Sequence, residues 1–517
     1  MSQELKSINL VAPAFKGINT EDSPLAQDPS FAEIADNAVI DKRGRIAARK
    51  GLSVTTTNKT ALGSATIQAI KEFKGDGETT TVFSVGNNKI LSGTTTLTDE
   101  TPGSYTISAN NWKMVNFNDK IYFFQRAHEP LVYPDSGNVI KLSSVAGAAG
   151  VTSAKYGNEV LAAFGRLWTA DFSTDKSTIY WSDLLIGHDW SGGTSGSIDI
   201  SKVWPDGYDE IVALAAHNNA LIIFGKHSIV VYSGAETPAS MTLADTVAGI
   251  GCVDRDTVQY TGTDVLFLSQ TGLRSFGRTI QEKSMPISSL SQNISKDIIN
   301  LLSEANETFT SVYHPEENFY LLTFRNQDIT LCFDVRGTLE NGSYRVTRWP
   351  GTSFTAFERQ DDGVLLIGGS HGIGEYSGNR DNTSSYRFKY FSPELTFGDP
   401  SRLKFLKKLR PTVVGGSGAS LFIKWAYDFE TVYNTAFLSL STQGQAEFNV
   451  NEFHGTDDPS YNSNPLSEYS GGELTSRTAV NANGSGGTLS IGVESDINGF
   501  ELSLQEINVL ALTGRTL

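Results

Sequence analysis

The chain is poor in cysteine and histidine and has no long apolar run, and each shortage excludes a class of protein. Cys252 and Cys332 each stand in an apolar stretch, which favours small buried residues over a structural disulfide. His217 and His227 bracket one predicted hairpin, but no cysteine or carboxylate has zinc-type spacing to either. No stretch reaches the ~18 apolar residues of a membrane span, and the N-terminus lacks signal-peptide features. We therefore expect no metal, no cofactor and no membrane contact in a protein made in a cytosol.

Positive charge is also scarce. Forty-one lysines and arginines face 57 aspartates and glutamates, which gives a formal net charge of −16. A free-standing nucleic-acid binder would normally be basic, because its affinity comes from neutralising phosphates. An acidic protein can still handle DNA by forming a like-charged wall along which the polyanion slides. Ordinary solubility explains the same charge, and composition alone leaves both explanations open.

What the chain does have is material for packed β-structure. It contains 517 residues, of which 39% are hydrophobic and 10% aromatic, and it contains 49 glycines. This length indicates two or three domains, and the hydrophobic content excludes overall disorder. Many glycines together with abundant Thr, Ser, Val and Phe predict an all-β chain.

A recurring unit occupies residues 61–380. Each unit has an apolar strand, a polar turn such as HNNA or HPEEN, a second apolar strand such as LIIF or FYLLTF, and a third strand after a small polar break. The unit recurs about every 40–50 residues, which is typical of the blades of a β-propeller. We predict six or seven blades. Residues 288–306 instead carry isoleucines and leucines at helical spacing, which predicts a short helix near 290–305.

Two further regions flank the predicted propeller. Residues 1–60 form an irregular N-terminal arm, in which AVIDKRGRIAARKG predicts a hairpin with Gly44 at its tip. Residues 381–517 pair apolar strands around Gly-rich turns and predict a C-terminal β-sandwich-like domain. Within that domain, residues 451–476 form a long polar loop, a length that is uncommon unless the loop is functional or disordered.

Catalytic motifs are weak. The stretch GRLWTADFSTDKSTIYWSD (165–183) partly matches the Asp box of sialidase-like propellers, since Ser173 and Asp175 fit. Ser177 replaces the glycine of that motif, the spacing to Trp181 is wrong, and the pattern occurs once. A glycosidase also needs two carboxylates across the sugar, whereas the aspartates here fall at strand ends and turns. We read the stretch as a blade hairpin and predict no enzyme activity.

The basic run RLKFLKKLR (402–410) stands out in an acidic chain. Its apolar residues interleave with the charges and indicate an amphipathic strand or short helix with one solvated face. The alternative is a contact with an acidic surface of a partner subunit, and direct nucleic-acid binding is a third reading. The candidate partner-interface residues are Arg402, Lys404, Lys407, Lys408 and Arg410.

Several phrases resemble one protein family. In the lead at 17–51, a G-hydroxyl-acid-SP phrase precedes an N-x-x-I-D-x-x-G-x-I-x-x-R-x-G phrase. IYWSDLLIGHDW (179–190) resembles the family's YWSDLGDPxxW turn, with Ile186 and His188 as departures. Residues 248–276 and 406–429 resemble a blade and the start of the C-terminal domain of the same proteins. The matching residues of the lead are Asn37, Ile40, Asp41, Gly44, Ile46, Arg49 and Gly51. The family is the tail nozzle (tail tubular protein B) of short-tailed bacteriophages.

This resemblance implies a structural virion protein of the phage tail, assembled in the host cytoplasm. It implies a homo-hexameric ring below the adaptor, which is the head-to-tail connector protein. The N-terminal arm is expected to pack on the platform of the ring or on that adaptor. The ring closes the DNA channel until infection, and tail fibres attach to it. DNA passes through the lumen without sequence-specific binding, and the gate is expected in a loop, either 451–476 or one from the lower blades. The alternatives are a glycan-binding or glycoside-hydrolysing propeller for host recognition, and a baseplate or capsid-stabilising protein.

Overall fold

The computed structural model describes residues 5–75, 80–107, 111–134, 136–282, 289–399, 401–416, 419–440, 445–446, 468–469 and 475–516. Strands dominate it. The N-terminal segment contributes five strands: β1 (Leu5–Val11), β2 (Ile34–Asp36), β3 (Ala38–Ile40), β4 (Ile46–Ala48) and β5 (Leu52–Val54). β3 and β4 form an antiparallel hairpin with Gly44 in its turn at a φ of 78°, as the sequence predicted.

Short antiparallel sheets follow one another along the chain from residue 69. The first blade contains β6 (Ala69–Lys74), β7 (Thr80–Gly86), β8 (Lys89–Ser92) and β9 (Thr98–Asp99); the second contains β10 (Lys113–Asn116), β11 (Ile121–Phe124), β12 (Leu131–Tyr133) and β13 (Ile140–Lys141). The third contains β14 (Glu159–Ala163), β15 (Arg166–Ala170), β16 (Thr178–Trp181) and β17 (Gly196–Asp199); the fourth contains β18 (Ile211–His217), β19 (Ala220–Gly225), β20 (Ile229–Ser233) and β21 (Thr242–Val247).

A three-stranded sheet and two further blades complete the series. The three-stranded sheet contains β22 (Gln259–Tyr260), β23 (Val265–Ser269) and β24 (Gly272–Ser275). The fifth blade contains β25 (Phe309–His314), β26 (Phe319–Phe324), β27 (Ile329–Asp334) and β28 (Arg345–Pro350). The sixth contains β29 (Ala356–Arg359), β30 (Leu365–Gly369), β31 (Gly372–Tyr376) and, as its outer strand, β5.

These sheets close into a ring. The first strands of successive sheets pack against one another, from β6 through β10, β14 and β18 to the turn before β22, and then through β25 and β29 back to β6. The N-terminal β5 pairs antiparallel with β31, so distant parts of the chain complete one blade and close the ring. The prediction of a β-propeller with six or seven blades is confirmed. The ring consists of six four-stranded blades and the three-stranded sheet, which lies between the fourth and fifth blades.

The cores of the propeller lie between neighbouring sheets. Side chains of a strand point alternately to its two faces, and in the middle strands both faces are apolar and buried. In β19, Leu221 and Ile223 pack towards the third blade, whereas Ile222 and Phe224 pack towards the three-stranded sheet. This double burial explains the unbroken apolar runs that mark the middle strand of each unit.

The C-terminal region forms a two-layered sandwich. Its strands are β32 (Tyr386–Phe391), β33 (Arg402–Gly415), β34 (Ser420–Tyr427), β35 (Asn434–Ser439), β38 (Thr475–Arg477), β39 (Val480–Asn481), β40 (Ser485–Gly486), β41 (Leu489–Ile497) and β42 (Leu502–Thr516). The strands β36 (Gln445–Ala446) and β37 (Glu468–Tyr469) pair with each other in a separate sheet. One layer has the order β2-β32-β41-β34-β35, and the other has the order β3-β4-β42-β33-β38 with β1 also on β42. Residues of both layers, including Phe388, Ile491, Leu409 and Ile507, share one buried core. The predicted sandwich-like domain is confirmed.

The boundary drawn at residue 60 does not correspond to a structural division. β1, β3 and β4 belong to the sandwich, since β1 and β4 both pair with β42. β5 belongs to the sixth blade, and β2 lies between β28 of the fifth blade and β32 of the sandwich. The N-terminal segment is therefore shared between the two domains, because its strands find their partners at distant positions in the chain.

Helical structure is sparse among the described residues. The α-helices are α1 (Phe276–Gln281) and α2 (Ser295–Leu302), and the second lies inside the range predicted to be helical. Five short 3₁₀ turns span Leu142–Ser144, Ser153–Lys155, Pro238–Ser240, Arg255–Thr257 and Gln292–Ile294. No helix of the described part of the chain is long and apolar enough to cross a membrane. The proposed gate loop 451–476 lies outside the described residues except for 468–469 and 475–476.

Candidate functional site at the centre of the propeller

A cavity of about 290 Å³ lies where the first strands of the blades meet. Its wall comes from β6, β10, the 3₁₀ turn before β22, β25 and β29. We call it the central cavity. A cube of that volume has edges of about 7 Å, which is less than the ~12 Å width of the DNA major groove alone. The centre of the propeller therefore does not admit a DNA duplex.

Lys113 and Glu159 form a buried ion pair beside the central cavity. The Lys113 ammonium lies 2.8 Å from both carboxylate oxygens of Glu159, whose side chain is fully buried. The same carboxylate accepts the backbone N–H of Leu214 at 3.2 Å, which links the second, third and fourth blades. Burial raises the pKa of Glu159, and the charge of Lys113 opposes that rise without reversing it.

A second ion pair joins the first and sixth blades. The Lys71 ammonium lies 2.6 Å from a carboxylate oxygen of Glu358, which also accepts the backbone N–H of Glu72 at 3.2 Å. Burial raises the pKa of Glu358, and Lys71 partly opposes it. The Lys71–Glu358 pair thus connects the last blade to the first, and the Lys113–Glu159 pair connects the second blade to the third.

The turn before β22 brings Arg255 and Asp256 into the wall, and Asp254 lies behind them. Arg255 donates to the carbonyl oxygens of Asn158 and Asn111, and its Nε lies 3.4 Å from a carboxylate oxygen of Asp256. Burial raises the pKa of Asp254 to about 7, and the neighbouring charge of Asp256 contributes to that rise. Burial alone would also raise the pKa of Asp256, but Arg255 and a hydrogen bond from Asn111 outweigh it and lower that pKa.

Arg325 is the fourth cation of the wall and has different surroundings. It follows β26 directly, and its guanidinium donates to the side-chain oxygen of Gln68. Among the described residues, no carboxylate lies within ion-pair distance of it. Asp256, Asp254 and Glu307 act on Arg325 only over longer distances, and burial lowers its pKa.

Sequence analysis did not identify these residues. A signal was present, because the first strand of several units carries a charged residue among apolar ones: Lys71 in AIKEF, Lys113 in WKMVNF, Glu159 in EVLAA and Glu358 in AFER. A charge at that position, repeated from unit to unit, is a mark of the innermost strand of a blade. Which of these charges pair with each other between neighbouring blades could be seen only in the structure.

The basic run is the strand β33, and the structure changes one of its candidate residues. Lys404 is buried: its ammonium donates to the carbonyl oxygens of Gly487, at 2.7 Å, and of Asp399. Strand alternation places Lys404 on the inner side with Leu406, so it is not available to a partner, contrary to the prediction. A register shift between Leu406 and Lys408 leaves Lys407 and Lys408 both exposed.

The other two candidates also reach the surface. Arg402 is exposed and lies 3.2 Å from Asp399, and Arg410 is half-buried. We call Arg402, Lys407, Lys408 and Arg410 the basic strip. The structure brings these four residues onto one strand, and it places none of them at the central cavity.

The Asp-box-like stretch is the β15–β16 hairpin of the third blade, as predicted. Asp171 pairs with Arg126 and with Lys176, and Asp175 accepts the backbone N–H groups of the turn it begins. These carboxylates hold the turn and the neighbouring blade in place. Both cysteines are free and buried. Among the described residues, no group of three or more His, Cys, Asp or Glu side chains is placed to hold a metal ion.

Three residues of the phrase at 37–51, Asn37, Arg49 and Gly51, lie where the propeller meets the sandwich. Arg49, whose side chain is 2% exposed, donates to both carboxylate oxygens of Asp381, at 2.8 and 2.6 Å, and to the side-chain oxygen of Asn37 at 2.9 Å. Its guanidinium carbon lies 4.2 Å from the ring centre of Tyr386 and 5.6 Å from that of Trp349. We call Arg49, Asp381, Asn37, Tyr386 and Trp349 the junction. Trp349 ends the fifth blade and Tyr386 begins the sandwich, so the guanidinium joins the two domains.

Comparison with known proteins finds solved structures that are similar only at low identity and low TM-score. No family model and no curated protein matches the chain. The extracellular domain of the putative one component system BT4673 from B. thetaiotaomicron matches 78% of this chain at 11% identity and a TM-score of 0.41, and 58% of that domain is covered. The WD40 domain of Neurospora crassa Pan2 matches 64% at 9% identity and a TM-score of 0.34, with 94% of that chain covered. Kluyveromyces lactis Hsv2 matches 56% at 11% identity and a TM-score of 0.31, with that chain wholly covered.

Proposed function

We propose that this protein is a structural virion protein, a tail nozzle subunit of a bacteriophage. Six copies form a ring that continues the DNA channel below the adaptor and gates genome release. Tail fibres attach to the ring, DNA passes through without sequence-specific binding, and no step requires catalysis, a cofactor or a membrane. The resemblance of the phrases at 17–51, 179–190, 248–276 and 406–429 to the nozzle family is the starting point of this proposal.

The observation that carries it is the single sheet that runs from the propeller into the sandwich. Its strands follow the order β25-β26-β27-β28-β2-β32-β41-β34-β35. A continuous hydrogen-bonded sheet holds two domains at a fixed angle, because rotation between them would break its ladder. A subunit that holds pressurised DNA behind a closed ring needs that rigidity, whereas two domains joined by a flexible linker would yield under the load.

The junction supports the same interpretation. Arg49 of the phrase at 37–51 is buried between rings from the two domains, and Asn37 of the same phrase follows β2 directly. Gly51 lies so close to the backbone of Arg380 that a Cβ added there would be 1.9 Å from its carbonyl oxygen. The nozzle-like phrase therefore coincides with the residues that fix one domain on the other.

The closed centre of the propeller determines where DNA can travel. Since the central cavity is too small for a duplex, the lumen lies between subunits on the axis of the ring and not inside any one propeller. A net charge of −16 suits a wall along which DNA slides, because like charges do not hold the polyanion. Release is then controlled by a gate and not by adhesion.

The basic strip is the proposed contact with an acidic partner surface. Four cations lie on one strand of a chain that is strongly acidic overall, so a neighbouring copy or the adaptor offers complementary charge. Propellers also expose only short strand edges, which lets rigid copies pack head to tail around a closed ring without fibre growth.

Size-exclusion chromatography with light scattering, together with negative-stain imaging, tests the proposal. We expect purified protein to form sixfold rings alone or when the adaptor is added. A protein that stays monomeric in both conditions and binds glycans on an array would contradict the proposal and favour a host-recognition propeller. Adaptor incubated without this protein is the control for rings contributed by the adaptor itself.

A further inference from the structure

The four cations around the central cavity differ in their partners. Three carboxylates each have a cation partner: Glu159 has Lys113, Glu358 has Lys71, and Asp256 has Arg255. Arg325 is the remaining cation in the wall. Arg325 is thus the wall cation that, among the described residues, makes no carboxylate contact.

The chemistry of Arg325 indicates what would compensate it. A guanidinium carries five N–H donors in a planar fork that matches the two oxygens of a carboxylate. The one acceptor that the structure places on this guanidinium is the neutral oxygen of Gln68. Arg325 is partly removed from water, which is costly for a charged group unless an opposite charge meets it, and no carboxylate of the described residues is in contact with it.

The wall around Arg325 also limits the size and polarity of a ligand. Gln68, Gln259 and Ser311 line the space with amides and a hydroxyl, and Trp112 and Phe309 provide apolar surface. Gln259 donates to Ser311, and Ser311 donates to the carbonyl oxygen of Asp256, so these groups are held in place. A volume of about 290 Å³ accommodates a molecule the size of a sugar acid.

We propose that the central cavity binds a small organic monoanion, with its carboxylate on the fork of Arg325 and its hydroxyl groups on the polar wall. The two oxygens of one carboxylate match the planar guanidinium of Arg325, whereas the carboxylates of Asp256 and Glu358 in the same wall disfavour the second negative charge of a phosphate. This binding site is independent of ring formation, because the cavity lies inside a single propeller. The ligand would connect the first blade, the three-stranded sheet and the fifth blade and would stabilise the folded propeller.

Isothermal titration calorimetry on the full chain tests this proposal, with gluconate as the probe. Glucose is the uncharged control of similar size, and inorganic phosphate is the control for a general anion site. We expect saturable gluconate binding in the range up to about 10 mM, with no binding of glucose and weaker binding of phosphate. Absence of gluconate binding in that range, or phosphate binding at least as tight, would overturn the proposal.

Two substitutions assign the binding to the fork. Arg325→Gln removes the charge and is expected to weaken gluconate binding at least about tenfold, because a charge-assisted bidentate contact is lost. Arg325→Lys keeps the positive charge but lacks the planar guanidinium, and it is expected to weaken gluconate binding by a smaller factor. It serves as the second variant if Arg325→Gln folds poorly. Arg359→Gln, at an ion pair with Glu316 outside the cavity, is the matched control and is expected to bind as the parent does. Unchanged affinity in both Arg325 variants would place the ligand elsewhere and overturn the assignment.

Discussion

Arg49 at the junction is buried and Arg325 at the central cavity is partly buried, and their surroundings differ. Arg49 has a bidentate carboxylate, a side-chain amide, a backbone carbonyl and two aromatic rings around it. Arg325 has one amide oxygen and only distant carboxylates. A buried charge whose donors are fully engaged by the protein fixes a structure, whereas a buried charge that lacks an opposite partner is available to a ligand.

The largest expected effect comes from Arg49→Met. The substitution keeps much of the side-chain volume but leaves Asp381 and Asn37 without their partner, so we expect a loss of about 3–5 kcal/mol in the free energy of unfolding. Urea denaturation followed by fluorescence measures it. The control is Arg359→Met, at a pair whose side chains are 35% and 39% exposed, which should cost no more than about 1 kcal/mol. Equal losses in the two variants would remove the distinction between the junction and an exposed pair.

Gly51→Ala tests the junction through packing. The added Cβ would meet the Arg380 carbonyl, so the backbone of one of the two segments has to move. We expect a loss of about 1–3 kcal/mol, typical of overpacking, measured by the same denaturation. Gly103→Ala is the control, since a Cβ at Gly103 has no atom within 4 Å and should change stability little. A stable Gly51→Ala variant would show that the close approach does not constrain the domains.

Asp254→Asn tests the charges at the centre of the propeller through pH. The pKa of Asp254 is about 7 in the folded protein against an ordinary value of 3.8, so the folded state holds this proton more tightly than the unfolded state. The stability that Asp254 contributes is therefore present below about pH 4 and is lost as the pH rises to about 7.

Asparagine keeps the cap on the Asp256 N–H and cannot ionise. We expect Asp254→Asn to be more stable than the parent by up to about 4 kcal/mol at pH 8, with the difference vanishing near pH 4. Denaturation midpoints at the two pH values measure it, with the exposed turn variant Asp119→Asn as control. A stability difference that does not change with pH would contradict the raised pKa.

The smallest effect on folding is expected from Lys407→Glu combined with Lys408→Glu. Both side chains are exposed, so the unfolding free energy of the subunit should change by less than about 0.5 kcal/mol for each substitution. Ring assembly, measured by light scattering, should nevertheless be lost, because the basic strip becomes acidic. Lys202→Glu with Lys296→Glu makes the same charge change at exposed lysines elsewhere and should leave rings intact. Rings in both double variants would show that the basic strip is not the contact.

Much of the propeller could be predicted from the sequence, because the signal is local. The run LIIF at 221–224 is apolar on both faces, and only a strand between two packed sheets buries both. The sharing of residues 1–60 between the domains could not be predicted, since β5 and β2 find partners that follow them by some 300 residues in the chain and leave no local pattern. Lys404 was assigned to the surface because it lies in a basic run, yet the neighbouring carbonyl oxygens satisfy its ammonium inside the sandwich.

Cryo-electron microscopy of the assembled ring on its adaptor tests the central claim most directly, since it shows the copy number and the path of DNA together. The account predicts six copies around a lumen that lies between the subunits, with the centre of each propeller closed by its own ion pairs. Two results would contradict it: density for DNA through the centre of a propeller, or an assembly in which the copies do not form a ring.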